Sequence, residues 1–322
     1  MKIFFYIIIS FIGLFISHFI SKKFNLYDFP DENKAHLLKT ANTGGLALIF
    51  VILSSIAVNE FSKDIILIYI LTISVIVIGF FDDLKNFTAL KKIILISFPV
   101  TLFIIYVSKV NSLGFLFGHN INLGEFSPFF SFLCILLFIN ATNYMDGMDG
   151  LLSILTILSL TYIIIHLPQD EFKIFVPIII FLLIFLFFNF GILPKQFLGD
   201  SGSLGIGFII ASLCIYYTQS LKFLEPTIII WALSFFVYEF LTINIMRIKN
   251  KKSLLEKDLN FIFNILSFKK NNKFSLFVCV AIKLFFLANG YVLNYYKLND
   301  ISIMLFVVYF FIYLLLRLKF IK

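Results

Sequence analysis

Long apolar segments recur along this chain and constrain its fold more than any other feature. Peptide groups inside a bilayer must form hydrogen bonds within their own segment, and the runs far exceed the roughly ten residues of a barrel strand, so each is expected to be a helix. Eleven runs occupy residues 3–20, 44–58, 65–81, 93–108, 127–142, 150–166, 172–190, 203–218, 227–246, 274–293 and 301–316.

Composition supports a membrane fold. Of 322 residues, 61% are hydrophobic and 14% are charged, and 45 Phe with 14 Tyr exceed what soluble cores of this size bury. The first run is interpreted as a span and not a signal peptide, because no small-residue cleavage site follows it. We therefore predict an all-α polytopic membrane bundle of about 11 transmembrane helices, forming one integral membrane domain over residues 1–322.

The basic residues predict the direction of insertion. Of 26 Lys and Arg residues, 19 lie at one set of helix ends and 6 at the other, and Lys283 lies inside a span. By the positive-inside rule the amino terminus is outside and the carboxyl terminus is cytoplasmic. The net charge of +8 is then explained by topology and anionic lipid, so no nucleic-acid partner is expected.

Carboxylates are scarce, and several gather at three span ends that the lysines place on the cytoplasmic face. These groups are Asp82 and Asp83 after the third span, Asn140, Asn143, Asp146 and Asp149 after the fifth, and Asp200 after the seventh. Adjacent carboxylates near lipid need a cation or a basic partner. Oxygen ligands without Cys or His favour Mg²⁺, with Mn²⁺ as the alternative.

A simpler explanation is that these carboxylates only balance a basic cytoplasmic surface. The repetition of glycines and asparagines beside three clusters on one side favours a functional site instead. In the third cluster, glycines and serines lead into the eighth helix, whose first amides could face a phosphate.

With these motifs the chain resembles the polyprenyl-phosphate N-acetylhexosamine-1-phosphate transferases of glycosyltransferase family 4, over almost its whole length. The resemblance rests on Asp82-Asp83, on the Asn-x-x-Asn-x-x-Asp-Gly-x-Asp-Gly-Leu stretch 140–151 and on the Phe-Leu-Gly-Asp-Ser-Gly-Ser stretch 197–203. Asp28, Pro30, Lys34, His36 and the glycine pair 44–45 fit the family's first cytoplasmic loop.

Some positions depart from the family pattern. Asn33 replaces an Arg, Ala41 replaces a Pro, and residues 257–264 contain no histidine where the family carries a His-x-His-His or related motif. Because the triple-His signature of the lipid I enzyme is absent, the chain is expected to be closer to the undecaprenyl-phosphate GlcNAc-1-phosphate transferases, and a muramyl-pentapeptide donor is not expected.

The resemblance implies a Mg²⁺-dependent transfer of an N-acetylhexosamine 1-phosphate from a UDP-sugar to polyprenyl phosphate, with release of UMP, at the cytoplasmic side of a bacterial inner membrane. This would be the first membrane step in the synthesis of a cell-envelope glycan, such as the O-antigen of lipopolysaccharide. It implies metal and catalytic roles for Asp82, Asp83 and Asp200, and substrate-binding roles for Asn143, Asp146, Asp149, Phe197, Lys34, His36 and Lys39. Phe197 would stack on uracil, and the three basic residues would meet phosphates unless they serve only the charge bias.

Two other functions stay open at this point. A transporter or lipid flippase would place ionisable residues near the bilayer midplane, and a catalytically weakened homologue would explain the lost histidines. Two charges do lie inside spans: Glu239, eight residues before Arg247, and Lys283, for which an interior packing role is expected. A homodimer is compatible with the sequence, which does not determine the amino sugar, the polymer, the prenyl length or the oligomeric state.

Overall fold

The computed structural model describes residues 2–28, 39–253 and 260–320, and most of these residues are helical. The helices are α1 (Lys2–Phe24), α2 (Ala47–Val58), α3 (Lys63–Lys85), α4 (Ala89–Tyr106), α5 (Ser127–Met145), α6 (Leu151–Ile165), α7 (Phe172–Asn189), α8 (Gly199–Ile215), α9 (Pro226–Lys249), α10 (Ile262–Lys269), α11 (Asn272–Tyr295) and α12 (Asn299–Phe320).

The predicted all-α membrane fold is confirmed. Among the described residues, nine helices are long and apolar enough to cross a bilayer when their flanking turns are included, and α2 and α6 are shorter apolar helices of 12 and 15 residues. The eleven apolar runs coincide with α1–α9, α11 and α12. The short helix α10 lies between two of the predicted runs, 227–246 and 274–293, in a segment for which no helix was predicted. The direction of insertion stays a prediction.

Two short antiparallel hairpins complete the described structure. Strands β1 (Tyr27–Asp28) and β2 (Thr40–Ala41) pair beside the amino terminus of α2. Strands β3 (Ser112–Leu116) and β4 (His119–Asn122) pair at the opposite end of the bundle, between α4 and α5.

Helix α8 forms the centre of the bundle. Every residue of α8 except Asp200 is buried, because α3 and α5 pack closely on either side of it. Glycines allow this approach: a Cβ on Gly205 would lie 2.4 Å from Cγ1 of Ile76 in α3, and one on Gly207 would lie 2.3 Å from Oγ1 of Thr142 in α5. A helix with larger side chains at these positions could not occupy the centre.

The same packing brings three helix ends together. A Cβ on Gly79, in the last two turns of α3, would lie 2.5 Å from the carbonyl oxygen of Asp200, in the first turn of α8. Thr142, near the end of α5, donates from Oγ1 to the carbonyl oxygen of Ser203 at 3.1 Å. The carboxyl ends of α3 and α5 therefore meet the amino end of α8.

The chain segments that precede α2 and α8 pair with each other through their backbones. Phe197 N–H donates to the Ala41 carbonyl at 2.8 Å, and Gly44 N–H donates to the Phe197 carbonyl at 2.8 Å. Gly45 lies directly against Gly202, since a Cβ on Gly45 would be 2.0 Å from the Gly202 nitrogen. This pairing fixes the position of the first turn of α8.

Candidate active site

Asp83 caps the amino end of α8. Its Oδ1 accepts from Asp200 N–H at 3.0 Å and from the Asn42 side-chain amide at 3.1 Å, and its Oδ2 accepts from Ser201 N–H at 3.1 Å. The first amides of a helix lack partners within the helix and favour a negative charge. Asp83 therefore holds the backbone of Asp200, and both of its oxygens are occupied by that role.

Asp82, its neighbour, faces a different partner. Its Oδ1 accepts from Phe87 N–H at 2.7 Å, which fixes the carboxylate, and its Oδ2 forms an ion pair with the ammonium of Lys92 in α4. Lys92 pairs at the same time with Oδ2 of Asp200. One cation thus lies between one oxygen of Asp82 and one oxygen of Asp200.

The other oxygen of Asp200 is held by α5. Asn143 donates from Nδ2 to Asp200 Oδ1 at 2.8 Å and is also within 2.9 Å of Ser203 Oγ. Asn140, the earlier asparagine of the same motif, donates to the Leu136 carbonyl in its own helix at 2.8 Å. The structure therefore joins Asn143 to Asp200, whereas the contact of Asn140 is made within α5.

Asp146 follows the end of α5 and is half-buried at the edge of this group. Among the described residues its carboxylate has no hydrogen-bond partner. Burial, followed by the negative charges of Asp200, Asp83 and Asp149, raises the pKa of Asp146 well above its usual value. We call Asp82, Asp83, Asp146 and Asp200 the acidic cluster.

Asp149 is paired away from the cluster. Its Oδ2 accepts from the Lys195 ammonium at 2.6 Å, and that ammonium lies 5.4 Å from the centre of the Phe197 ring. The next residue, Gly150, has φ +77° and donates to Asn189 Oδ1 at 2.5 Å. Asp149, Lys195 and Phe197 together form one side of the site.

Of the three basic residues predicted to bind phosphates in the first loop, the structure describes one. Lys34 and His36 lie outside the described residues. Lys39 is described, and its ammonium lies 3.9 Å from the centre of the Tyr27 ring and 3.4 Å from Asn25 Oδ1. Its phosphate-binding role stays a prediction.

The sequence analysis missed two lysines and one asparagine that complete the site. Lys92 and Lys195 were counted only as part of the positive-inside charge, and Asn42 was not considered. Lys92 is in the first turn of α4, which is capped by Thr88 and is the next helix after the Asp82-Asp83 pair. This closeness in the chain could have indicated that Lys92 pairs with the carboxylates.

The donors suit a hard cation in part. In residues 2–28, 39–253 and 260–320, no group of three or more His, Cys, Asp and Glu side chains forms a ready set of metal ligands. Asp82 and Asp200 nevertheless direct one oxygen each to a shared cation. Mg²⁺ commonly uses one or two carboxylates and completes its shell with water and substrate phosphates, so this pair fits it, whereas Asp83 is occupied by backbone amides.

Comparisons with known proteins found two similarities. The sequence profile of glycosyl transferase family 4 matches residues 65–218, a range that contains Asp82, Asn143, Asp146 and Asp200. A phospho-N-acetylmuramoyl-pentapeptide-transferase of Streptococcus pyogenes serotype M5 (strain Manfredo) is 33% identical over 229 residues, which cover 64% of this chain and 68% of the relative.

Proposed function

Because the chain belongs to glycosyl transferase family 4, we propose that it transfers an N-acetylhexosamine 1-phosphate from a UDP-sugar to a polyprenyl phosphate and releases UMP. The observation that carries this proposal is the meeting of Asp82 and Asp200 at the Lys92 ammonium, with Asn143 holding the other Asp200 oxygen, at one end of a membrane bundle. A lipid acceptor and a water-soluble donor can meet only at such a surface. By the positive-inside rule this end faces the cytoplasm of a bacterial inner membrane.

The proposed reaction requires no covalent intermediate with the protein. An oxygen of the acceptor phosphate attacks the sugar-bearing phosphorus of the donor, and the bond from that phosphorus to the UMP oxygen breaks. The acceptor phosphate monoester has a second pKa of about 6, so it is ionised at neutral pH and needs no general base. Positioning and charge then supply most of the rate enhancement.

We assign metal binding and positioning to different residues of the site. Mg²⁺, held by Asp82 and Asp200, would supply positive charge to the phosphate oxygens. Asn143 fixes the Asp200 carboxylate, and Asp83 fixes the backbone beneath it. The Lys92 ammonium lies where it can move from the two carboxylates to a substrate phosphate.

Donor binding is assigned to the side of the site formed by Asp146, Asp149, Lys195 and Phe197. Lys195 holds Asp149 and lies against the Phe197 ring, and an aromatic ring beside these two charges is suited to stack on a uracil. Asp146, without a described partner, is suited to accept a hydrogen bond from a sugar or ribose hydroxyl. Lys34, His36 and Lys39 are assigned to phosphates on the resemblance alone.

A second donor is favoured by one finding. The S. pyogenes relative is named for phospho-N-acetylmuramoyl-pentapeptide transfer, so UDP-N-acetylmuramoyl-pentapeptide is the alternative substrate. The absence of histidine from residues 257–264 favours the simpler N-acetylhexosamine donor.

The test is a lipid-product assay with purified protein in detergent. The protein is incubated with undecaprenyl phosphate, Mg²⁺ and, in separate reactions, radiolabelled UDP-N-acetylglucosamine, UDP-N-acetylgalactosamine or UDP-N-acetylmuramoyl-pentapeptide. We expect labelled lipid and an equal amount of UMP with one of the first two donors, and a loss of both in EDTA. Product only with the third donor would replace the proposed substrate, and no product with any donor would overturn the transferase proposal in favour of a weakened homologue.

A further inference from the structure

A buried ion pair joins α9 to α12, far along the chain from the acidic cluster. Glu239 in α9 is fully buried, and Arg317 in α12 is 1% exposed. Arg317 donates to Glu239 from Nε at 3.2 Å and from Nη2 at 3.1 Å, and the Tyr313 hydroxyl donates to Glu239 Oε2 at 2.5 Å. The partner of Glu239 is thus Arg317 and not Arg247, whose guanidinium donates to the Tyr144 hydroxyl at 2.7 Å.

The same pair holds the chain segment that leads into α10. Ile262 N–H donates to Glu239 Oε1 at 2.6 Å, and Arg317 Nη2 donates to the carbonyl oxygen of Asn260. Ser275 in α11 donates to the Phe263 carbonyl at 2.7 Å. We call residues 260–263 the anchored segment, because three helices hold its backbone.

The anchored segment packs directly on the turn that carries Asp146. The Phe261 ring lies 5.2 Å from the Tyr144 ring and 5.3 Å from the Phe263 ring, centre to centre. Phe263 covers Gly147, where a Cβ would lie 2.9 Å from the Phe263 ring. The segment therefore packs on the chain on both sides of Asp146, at Tyr144 and at Gly147.

Packing alone does not require charges here. A buried ion pair contributes little net stability compared with apolar side chains of the same volume, because both ions lose their hydration. Ionisable side chains are also expensive inside a membrane protein and are usually retained for a function. This pair reaches a backbone N–H and a backbone carbonyl of one segment, which an apolar pair could not do.

We propose that Glu239 and Arg317 are positioning residues that fix the anchored segment against the Tyr144–Gly147 turn and thereby set the shape of the donor site. The inference rests on the proposed transferase function for its kinetic part, whereas the anchoring itself is a property of the fold. Neither residue contacts the acidic cluster in the described structure, so the rate of the chemical step does not depend on them directly.

The test compares Arg317→Met and Glu239→Gln with Tyr313→Phe in the full-length protein. Tyr313→Phe is the matched control, because it removes one hydrogen bond to the same carboxylate and leaves the contacts with Ile262 and Asn260 in place. Hydrogen–deuterium exchange is measured in peptides that contain residues 260–265 and 144–149. The kinetic constants are measured with the donor that gives lipid product, and Mn²⁺ binding is measured by electron paramagnetic resonance.

We expect Arg317→Met and Glu239→Gln to accelerate exchange in both peptides and to raise KM for the donor about tenfold, with kcat within about threefold of wild type. Mn²⁺ affinity should not change. Arg317→Lys, which keeps the charge, should restore part of the KM. Tyr313→Phe should leave exchange in both peptides and KM close to wild type.

Three outcomes would overturn the inference. If exchange in residues 260–265 stays at the wild-type rate in both variants, Glu239 and Arg317 do not anchor this segment. Faster exchange with an unchanged KM would remove the donor-site role, and a KM increase of equal size in Tyr313→Phe would show a general loss of packing. If Arg317→Met fails to fold, Glu239→Gln decides alone. A wild-type protein that is inactive with every donor would remove the transferase proposal and the kinetic role, while the exchange data would still report on the anchoring.

Discussion

The acidic cluster and the Glu239–Arg317 pair both place carboxylates in an apolar bundle, but their charges are balanced differently. Glu239 meets one guanidinium and accepts four hydrogen bonds, so the pair is electrically neutral and both carboxylate oxygens are occupied. In the cluster, Asp82 and Asp200 share the ammonium of Lys92, and Asp146 has no described hydrogen-bond partner. A neutral pair of this kind holds helices and a backbone segment together, whereas an excess of negative charge is left for a ligand or a cation to balance.

The largest effect is expected from Asp200→Asn. The change keeps the shape of the side chain but removes one of the two carboxylates that face the shared cation. We expect transfer to fall about a thousandfold, as in other losses of charge stabilisation in a transition state. The measurement is the rate of labelled lipid formation, with the apparent Tm in detergent as the control for folding. A rate within tenfold of wild type would mean that the cluster does not perform the chemistry.

Lys92→Met should have the next largest effect, because Asp82 and Asp200 lose their shared counter-ion. We expect activity to fall about a hundredfold and the apparent Tm to fall by about 3 °C without divalent ions. Millimolar Mg²⁺ should raise the Tm of this variant more than that of wild type, because the metal binds the same two oxygens in the folded state. Equal Mg²⁺ shifts in the two proteins would contradict a shared site.

Asp83→Asn tests whether Asp83 has a structural role and Asp200 a catalytic one. Asp83 caps α8 through both carboxylate oxygens, and asparagine keeps only one acceptor, so the lost hydrogen bond and the lost charge together cost about 1 to 2 kcal/mol. We expect a Tm decrease of about 4 °C in Asp83→Asn and little change in Asp200→Asn, measured by thermal unfolding under the same conditions. A larger decrease in Asp200→Asn would reverse the assignment.

Asp146→Asn should stabilise the protein in a pH-dependent way. The folded state raises the pKa of Asp146, so wild type binds this proton more tightly when folded and loses stability as the pH rises through that raised pKa. We expect the variant to match wild type below about pH 4 and to exceed it by about 2 °C at pH 8. Thermal unfolding across this range is the measurement, and a gain that is independent of pH would rule out relief of a buried charge.

Lys283→Met is expected to have the smallest effect. Lys283 donates to the Ala232 carbonyl and lies 5.4 Å from the centre of the Phe236 ring, and the same carbonyl also accepts from Ser159 at 2.7 Å. Methionine would therefore leave no backbone group unsatisfied. We expect activity within about twofold and an unchanged or slightly higher Tm. A large loss of activity would show that this buried charge, like the cluster, serves the reaction.

The helices were predictable because each apolar run carries its own signal. Inside a bilayer the backbone must satisfy itself locally, so length and hydropathy are sufficient to locate α1–α9, α11 and α12. The short helix α10 was missed, because its eight residues fall far below a membrane-spanning length. The three clusters of acidic residues could also be identified from the sequence, since acidic residues are rare in this chain and recur at helix ends.

The separate roles of the carboxylates in the site could not be predicted from the sequence. Asp82 and Asp83 are adjacent in the chain, yet one faces Lys92 and the other caps α8, because successive residues of a helix point about 100° apart. The partner of Glu239 was missed for a similar reason: Arg317 lies 78 residues further along the chain and reaches Glu239 only when α12 packs on α9.

Local chemistry in the chain therefore specified the helices, the membrane fold and the carboxylates that are proposed to bind a divalent ion. The packing of α3, α5, α8, α9 and α12 decided which carboxylate meets the Lys92 ammonium and which one caps a helix. It also decided which segment packs on the Tyr144–Gly147 turn. Hydrophobicity acts on each segment separately, whereas the direction and pairing of a charged side chain are set by neighbours that are distant in sequence.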